Sequence, residues 1–368
     1  MSFKRPPSLF WLDALRNPAL AAGWGLPEWS QAIRLGRRLR LLGRLAEALA
    51  AAGQMQAVPA QPQRLLRAEM QSSRARTAAL VWALDRAGAA LTGAPYPLVL
   101  LKGAAYIGQP GLPFGRGRLS ADVDILVPQA HIDDAQARLT SAGWQGVQLD
   151  GHDDRYYREW SHEVPPMRHP SHPIELDLHH TIVPPVSRNP VDAALLLQRL
   201  QPSQWPAWQV LHPVDQVLHS AAHLFFDSDL RERVRDLADL DGLLRHFGRD
   251  PDFWQALPQR ARQLGLQQPL ALAVHFCVGW FGTPMPANTF ATIHRAGPGL
   301  LHRAWLLPLL AGQLTPSPLD GLPSPAQNLG AHLVMARYQV WRLPLRMLIP
   351  HVQHKWQARK ARMAPGTD

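Results

Sequence analysis

The sequence predicts an α+β protein in which a small mixed sheet sits between N- and C-terminal helical regions. Three observations carry this. Leu39, Leu41, Leu42, Leu45 and Leu49 recur at spacings of three and four with arginines between them, a helical pattern. Strand texture appears only after Pro95-Tyr96-Pro97. From Asn189 onward the helical spacing returns.

Taken in order, residues 35–52 and 61–91 read as helices, the second from Leu65, Leu66, Met70, Leu80, Val81 and Leu84. Gly53 to Pro62 reads as the break between them. Leu98-Val99-Leu100-Leu101 has strand length, Lys102-Gly103 follows, and residues 103–107 can start a helix. Residues 108–118 form a Gly/Pro-rich loop. Val123, Ile125 and Val127 alternate with Asp122, Asp124 and Leu126, which predicts a strand. Gln129 to Gly143 predicts a helix stopped by the glycine. Arg155–Val164 and His172–Ile182 are further strand candidates. Helices are expected at 191–200, 213–226, 230–246, 252–264, 268–281, 299–311 and 325–342. The expected organisation is a helical region over 1–95, a core over 96–185 and a helical domain over 186–368.

Composition narrows the function classes. In 368 residues, 46% hydrophobic and 18% charged content excludes a disordered chain. A single cysteine, Cys277, excludes an intrachain disulfide framework and a multi-cysteine zinc site. The formal charge of +10 admits an anionic partner such as nucleotide, nucleic acid or membrane surface, although an Arg-, Ala- and Pro-rich composition alone gives such a charge. Asp13 and Arg16 interrupt the first apolar run, and no window approaches a membrane span, so a soluble cytoplasmic protein is expected.

The chemistry concentrates in residues 98–127. Asp122 and Asp124 lie two apart on a strand and share a face, next to a turn free of bulky side chains. Such a pair suits Mg²⁺; without a cation, buried carboxylates repel and one takes up a proton. In Ile174-Glu175-Leu176-Asp177-Leu178-His179, Glu175, Asp177 and His179 share one face, so spacing leaves either Glu175 or Asp177 as the third acid.

These residues resemble the DNA polymerase β-type nucleotidyltransferase superfamily: an apolar strand, a glycine turn, Asp-x-Asp in a second strand and one acid in a later strand. More narrowly, they resemble the uncharacterised bacterial nucleotidyltransferases. The matches are Leu101-Lys102-Gly103, Arg118, Asp122-Val123-Asp124-Ile125-Leu126-Val127 and Asp177-Leu178-His179. The motif-bearing part spans residues 96–182, with a weaker likeness over Val217–His223 and Leu237–Leu240. Two features depart from the wider superfamily. Ala104 stands where Ser or Gly is usual, and the Gly103-to-Asp122 separation is longer.

The resemblance implies a minimal nucleotidyltransferase core and transfer of a nucleotidyl group from an NTP, with pyrophosphate released. The acceptor would be a hydroxyl or phosphate on a small molecule, a peptide or protein, or an RNA end. It implies Mg²⁺ (or Mn²⁺) on Asp122, Asp124 and Asp177, with Asp177 also accepting the acceptor's proton. Lys102, Gly103 and Arg118 would meet the phosphates. The plainer readings are a strand-ending Lys102 and a solvated loop Arg118. His179 is read as orienting Asp177, with metal ligation as the alternative.

Weaker signals surround this core. His219 and His223 have a zinc-compatible spacing, but HSAAH lacks a metalloprotease glutamate, and packing near the groove is the preferred reading. Trp29, Trp82, Trp254, Trp280, Trp305 and Trp341 read as packing residues. The basic segment Arg337–Arg362 could touch a membrane surface or nucleic acid. Pro344 and Pro350 interrupt it, and packing on the domain is preferred. Two rivals stand beside transfer: a catalytically inactive nucleotide-binding relic, favoured by Ala104, and a membrane- or nucleic-acid-binding protein.

Overall fold

The structure, a computed structural model, describes residues 5–146, 157, 160–344 and 346–350. Helices α1 (Leu26–Arg38) and α2 (Leu42–Ala51) bury the leucine stripe, including Leu35, Leu42, Leu45 and Leu49. The expected break follows. Gly53 adopts φ +68°, a left-handed conformation open to a residue without Cβ, and a 3-10 turn spans Gln54–Ala57. Helix α3 (Ala60–Ala90) has 31 residues, so it runs roughly 46 Å at its rise of about 1.5 Å per residue.

The sheet begins where the prolines predict. Its strands are β1 (Val99–Leu100), β2 (Asp122–Leu126), β3 (Gln145–Gly146), β4 (Met167–Arg168), β5 (Glu175–His179), β6 (Leu200–Pro202) and β7 (Gln209–Leu211). Short helices α4 (Lys102–Ile107), α5 (Ile132–Ser141) and α6 (Ala193–Leu197) lie between them. The strand order is β3-β4-β5-β2-β1-β7-β6. β2 runs parallel to β5 and antiparallel to β1, and β1 runs parallel to β7. The pleat sorts the residues. Val123, Ile125, Leu176 and Leu178 are fully buried on one face, where α3 packs on β2 and α5 on β5. The acids of β2 and β5 take the other face.

Three expectations change. β6 and β7 arise between the helices expected at 191–200 and 213–226, where no strand was expected, and they carry the sheet past residue 185. Asp192 caps α6, and the chain pairs as β6 from Leu200, which shortens the expected helix 191–200 to Ala193–Leu197. The strand candidate 155–164 lies partly outside the described residues; within them, Glu163 forms a single bridge to His179. Also unanticipated is a helix at Ala287–Ala296, whose weak apolar signal is explained by Ile293 being its one buried residue.

The C-terminal helices are α7 (Pro213–Phe225), α8 (Val234–Phe247), α9 (Pro251–Gln263), α10 (Gln267–Phe281), α11 (Ala287–Ala296), α12 (Leu300–Leu314) and α13 (Pro325–Arg342). α7 is central, in contact with α8, α9 and α10. A buried bidentate pair joins it to α9: Arg260 donates to both oxygens of Asp215, at 2.7 and 2.9 Å. Trp29, Trp254 and Trp280 pack in the core as expected, and Trp341 stacks on Phe226, whereas Trp305 is 52% exposed. Of the basic C-terminal segment, Arg337 donates to the Phe225 carbonyl at the end of α7; Lys355, Trp356, Arg359, Lys360 and Arg362 lie outside the described residues. Among the described residues, no helix is long and apolar enough to cross a membrane.

One hydrophobic cluster runs through all three regions, and one buried ion cluster links them. Asp239 of α8 accepts from Arg44 of α2 at 2.9 Å and from Arg118 of the loop before β2 at 3.0 Å. All three side chains are nearly inaccessible to water. Removing Asp239 strands two buried guanidinium groups, which is far costlier than losing a surface pair. Asp239→Ala is therefore expected to lower stability by about 3–5 kcal/mol in urea unfolding. Asp229→Ala, which breaks the half-exposed Asp229–Arg231 pair, should cost less than about 1 kcal/mol. Equal effects would remove the ion cluster's structural role.

Candidate active site

The parallel register of β2 and β5 builds the site. Asp122 lies opposite Glu175, and Asp124 lies opposite Asp177. Opposed residues of neighbouring strands project on one face, so these acids point the same way. Carboxylate oxygens of Asp122, Asp124 and Asp177 come within 4.8 Å of one another. Glu175 takes another partner: Arg168, opposite it on β4, donates Nε to its Oε1 at 2.5 Å. Of the two candidates for a third acid, the fold groups Asp177 with the β2 pair.

Lys102, the first residue of α4 just past β1, takes a left-handed conformation, φ +44°, rare for a residue with a side chain. From there its Nζ donates to Asp124 Oδ1 at 2.7 Å. His179 Nε2 lies 3.0 Å from the same oxygen. The histidine is therefore held against Asp124, not Asp177 as the sequence suggested. Its Nε2 also lies 3.4 Å from Glu163 Oε2, across the bridge that seats Glu163 beside β5.

Gly103 has a packing reason. A Cβ there would strike Arg118 Nη1 and Ser120 Oγ. Arg118 lies beneath the turn, donating to Ser120 Oγ at 2.5 Å and to Asp239, with its guanidinium 5.5 Å from the Tyr106 ring centre. Arg118, expected as a phosphate contact, has Nε on Asp239 and Nη1 on Ser120. Ala104 is 1% exposed. Two further arginines fix the approach to Asp122. Arg76 of α3 donates to the carbonyls of Ser120 and Ala121, and Arg235 of α8 donates to that of Leu119. Sequence reasoning did not single out Arg76 or Glu163, because both partnerships bridge distant segments. Asp239 had a signal in the Leu237–Leu240 likeness.

His219 and His223 lie on α7 beside the site. Arg233 donates to His223 Nε2 at 3.0 Å, so that nitrogen already serves as an acceptor next to a cation. Burial and the Lys102 charge hold both imidazoles well below the usual histidine range, so both are neutral. Among the described residues they belong to no metal-compatible group.

The electrostatics of the acids differ sharply. Burial alone would protonate Asp124, but Lys102 and His179 hold its carboxyl well below the usual range. The counterpart holds for Lys102: burial pushes its ammonium down, and Asp124 and Glu163 more than offset this. Asp122 is raised by burial and then by the Asp124 charge. Asp177 is pushed up to about 7 by burial, then by the charges of Asp124 and Glu163.

The donor set fits a hard divalent cation. It is all oxygen, and Asp177 Oδ1 is buried without a hydrogen-bond partner. A cation would satisfy that oxygen and remove the repulsion that keeps Asp177 protonated. Because the folded state holds this proton more tightly than an unfolded chain, Asp177 makes the metal-free fold less stable as pH rises from 3.8 to about 7. Mn²⁺ binding near pH 6 should therefore release protons, and binding near pH 8 should release few. Calorimetry in two buffers of different ionisation enthalpy measures this. Asp177→Asn should reduce the release, and release unchanged by that substitution would assign it elsewhere.

Residues 26–282 match the model of a family described as an uncharacterised nucleotidyltransferase. No curated protein and no solved structure matches the chain. The matched residues carry β1, the Lys102-Gly103 turn, β2, β5 and helices α7 and α8. The chain belongs to this uncharacterised nucleotidyltransferase family.

Proposed function

We propose that this protein is a metal-dependent enzyme of the DNA polymerase β type, acting in the cytoplasm. It moves a nucleotidyl group from an NTP to an acceptor hydroxyl or phosphate and releases pyrophosphate. The acceptor is a small molecule, a peptide or protein, or an RNA end. The observation that carries this reading is the grouping of Asp122, Asp124 and Asp177 beside Lys102-Gly103 in a member of this family.

Asp122, Asp124 and Asp177 would hold Mg²⁺ or Mn²⁺. Such ions stabilise the entering and leaving oxygens of an in-line displacement. Lys102 is the cation that faces the acids. Its ammonium rests on Asp124 and can turn to a phosphate oxygen once Asp124 gains another partner. Gly103 would let backbone N–H groups of the turn approach a phosphate. Arg118 adds positive charge from beneath and braces the turn through Ser120. Asp177, whose carboxylate would be ionised once a cation is bound, is placed beside Asp122 and Asp124 to accept the proton of an attacking hydroxyl. Asp124 and His179 are held together before substrate arrives, so much of the work is positioning.

Asp122→Asn and Asp124→Asn should each reduce transfer to below a few per cent of wild type while the fold persists. Asp177→Ala should lower turnover by about 100-fold or more with a smaller change in NTP affinity, because its contribution falls on the transition state. Glu175→Ala, which breaks a pair with Arg168, is the comparison and should keep most turnover. Turnover assays paired with calorimetric NTP binding check this. A larger defect in Glu175→Ala would exchange the two roles. Tight NTP binding with no turnover in wild type would favour a nucleotide-binding relic.

A further inference from the structure

We infer that His162, Glu163 and His179 form a second metal site, selective for a nitrogen-preferring divalent cation such as Zn²⁺, that meets the carboxylate trio at Asp124. This site does not rest on the nucleotidyl-transfer reading. Its donors are two imidazole nitrogens and one carboxylate oxygen, all within 4.8 Å of one another. Magnesium favours all-oxygen sites, whereas a mixed N/O set suits zinc and its neighbours in the first transition row.

The spacing fits a tetrahedral ion. With bonds of about 2.1 Å, such an ion holds its donors roughly 3.4 Å apart. Glu163 Oε2 lies 3.4 Å from His179 Nε2 and 3.7 Å from His162 Nε2. Asp124 Oδ1, 3.0 Å from His179 Nε2, borders the same space, and an ion on that nitrogen would take the place of its hydrogen bond to Asp124. Neither imidazole has a hydrogen-bond partner at its buried Nδ1, so each ring meets its carboxylate neighbour on the Nε2 side.

The backbone prearranges these donors. His162 and Glu163 precede Val164, whose N–H donates to the Leu178 carbonyl at 2.9 Å; His180 N–H donates to the His162 carbonyl at 3.0 Å. The metal-bearing segment is thus already zipped to β5, and binding requires little ordering. Charge favours a second cation as well. Asp122, Asp124, Asp177 and Glu163, when ionised, face Lys102 as the ammonium bonded within the cluster. An ion held by Glu163 and His179 would also lock this segment against Asp124, joining the two metal sites through one carboxylate.

The test uses the full-length protein, stripped with chelator and titrated with Co²⁺ in the presence of millimolar Mg²⁺. Tetrahedral Co²⁺ with N/O ligands absorbs strongly in the visible, so the readout is independent of activity. Wild type should bind one equivalent of Co²⁺ with these bands, and Zn²⁺ should displace it. Glu163→Gln and His162→Ala should each weaken binding by about ten-fold or more, while Asp122→Asn should retain the bands. Circular dichroism checks each fold, and the near-isosteric Glu163→Gln decides the matter if His162→Ala does not fold. Absence of Co²⁺ binding under Mg²⁺ would overturn the site. So would bands that vanish in Asp122→Asn yet persist in Glu163→Gln. Either failure leaves the Mg²⁺ reading of the aspartates standing, and loss of transfer activity alone leaves this site untouched.

Discussion

The ionised carboxylate of Asp124, sunk in the interior, is the constraint around which the rest is arranged. A buried charge survives only when donors replace the water it has lost. Lys102 and His179 supply them, both on Oδ1. To deliver the lysine, the turn from β1 into α4 carries a left-handed residue at Lys102. To deliver the histidine, β5 must pair with β2 in the observed parallel register, which also sets Asp177 opposite Asp124. One stabilised charge thus links the β2–β5 register to the unusual turn.

The same logic spreads outward. The turn after Lys102 is glycine because Arg118 lies beneath it, and Arg118 is tolerated there because Asp239 neutralises it. Asp239 is shared with Arg44, so the helices before and after the sheet are tied through one carboxylate. Charge compensation runs from α2 through α8 to the edge of the site. Opposed to it stands the crowding of Asp122 and Asp177 against Asp124, which the protein's own side chains leave only partly relieved. That imbalance favours a cation, and it is concentrated where chemistry would occur.

Much of this was legible in the sequence, for identifiable reasons. Period-two alternation put Asp122 and Asp124 on one face, and the leucine spacing marked the long helices, because both signals are local. Choosing between Glu175 and Asp177 needed β4, whose Arg168 occupies Glu175. Arg118 looked like a loop cation; only the fold brings Asp239 to it from more than a hundred residues away. Strands β6 and β7 were hidden because each is only three residues long. His162 and Glu163 gained meaning only once the bridge to β5 set them beside His179.

Membership of a nucleotidyltransferase family makes transfer the central claim, and the carboxylate cluster locates it. The most direct measurement incubates the full-length protein with each NTP labelled at the α-phosphate, with Mg²⁺ or Mn²⁺ and host lysate. The account predicts that at least one NTP leaves its label covalently on an acceptor, with pyrophosphate released and the transfer abolished by chelation. Label that never leaves the nucleotide pool with any NTP and either metal, or transfer that persists in chelator, would contradict it.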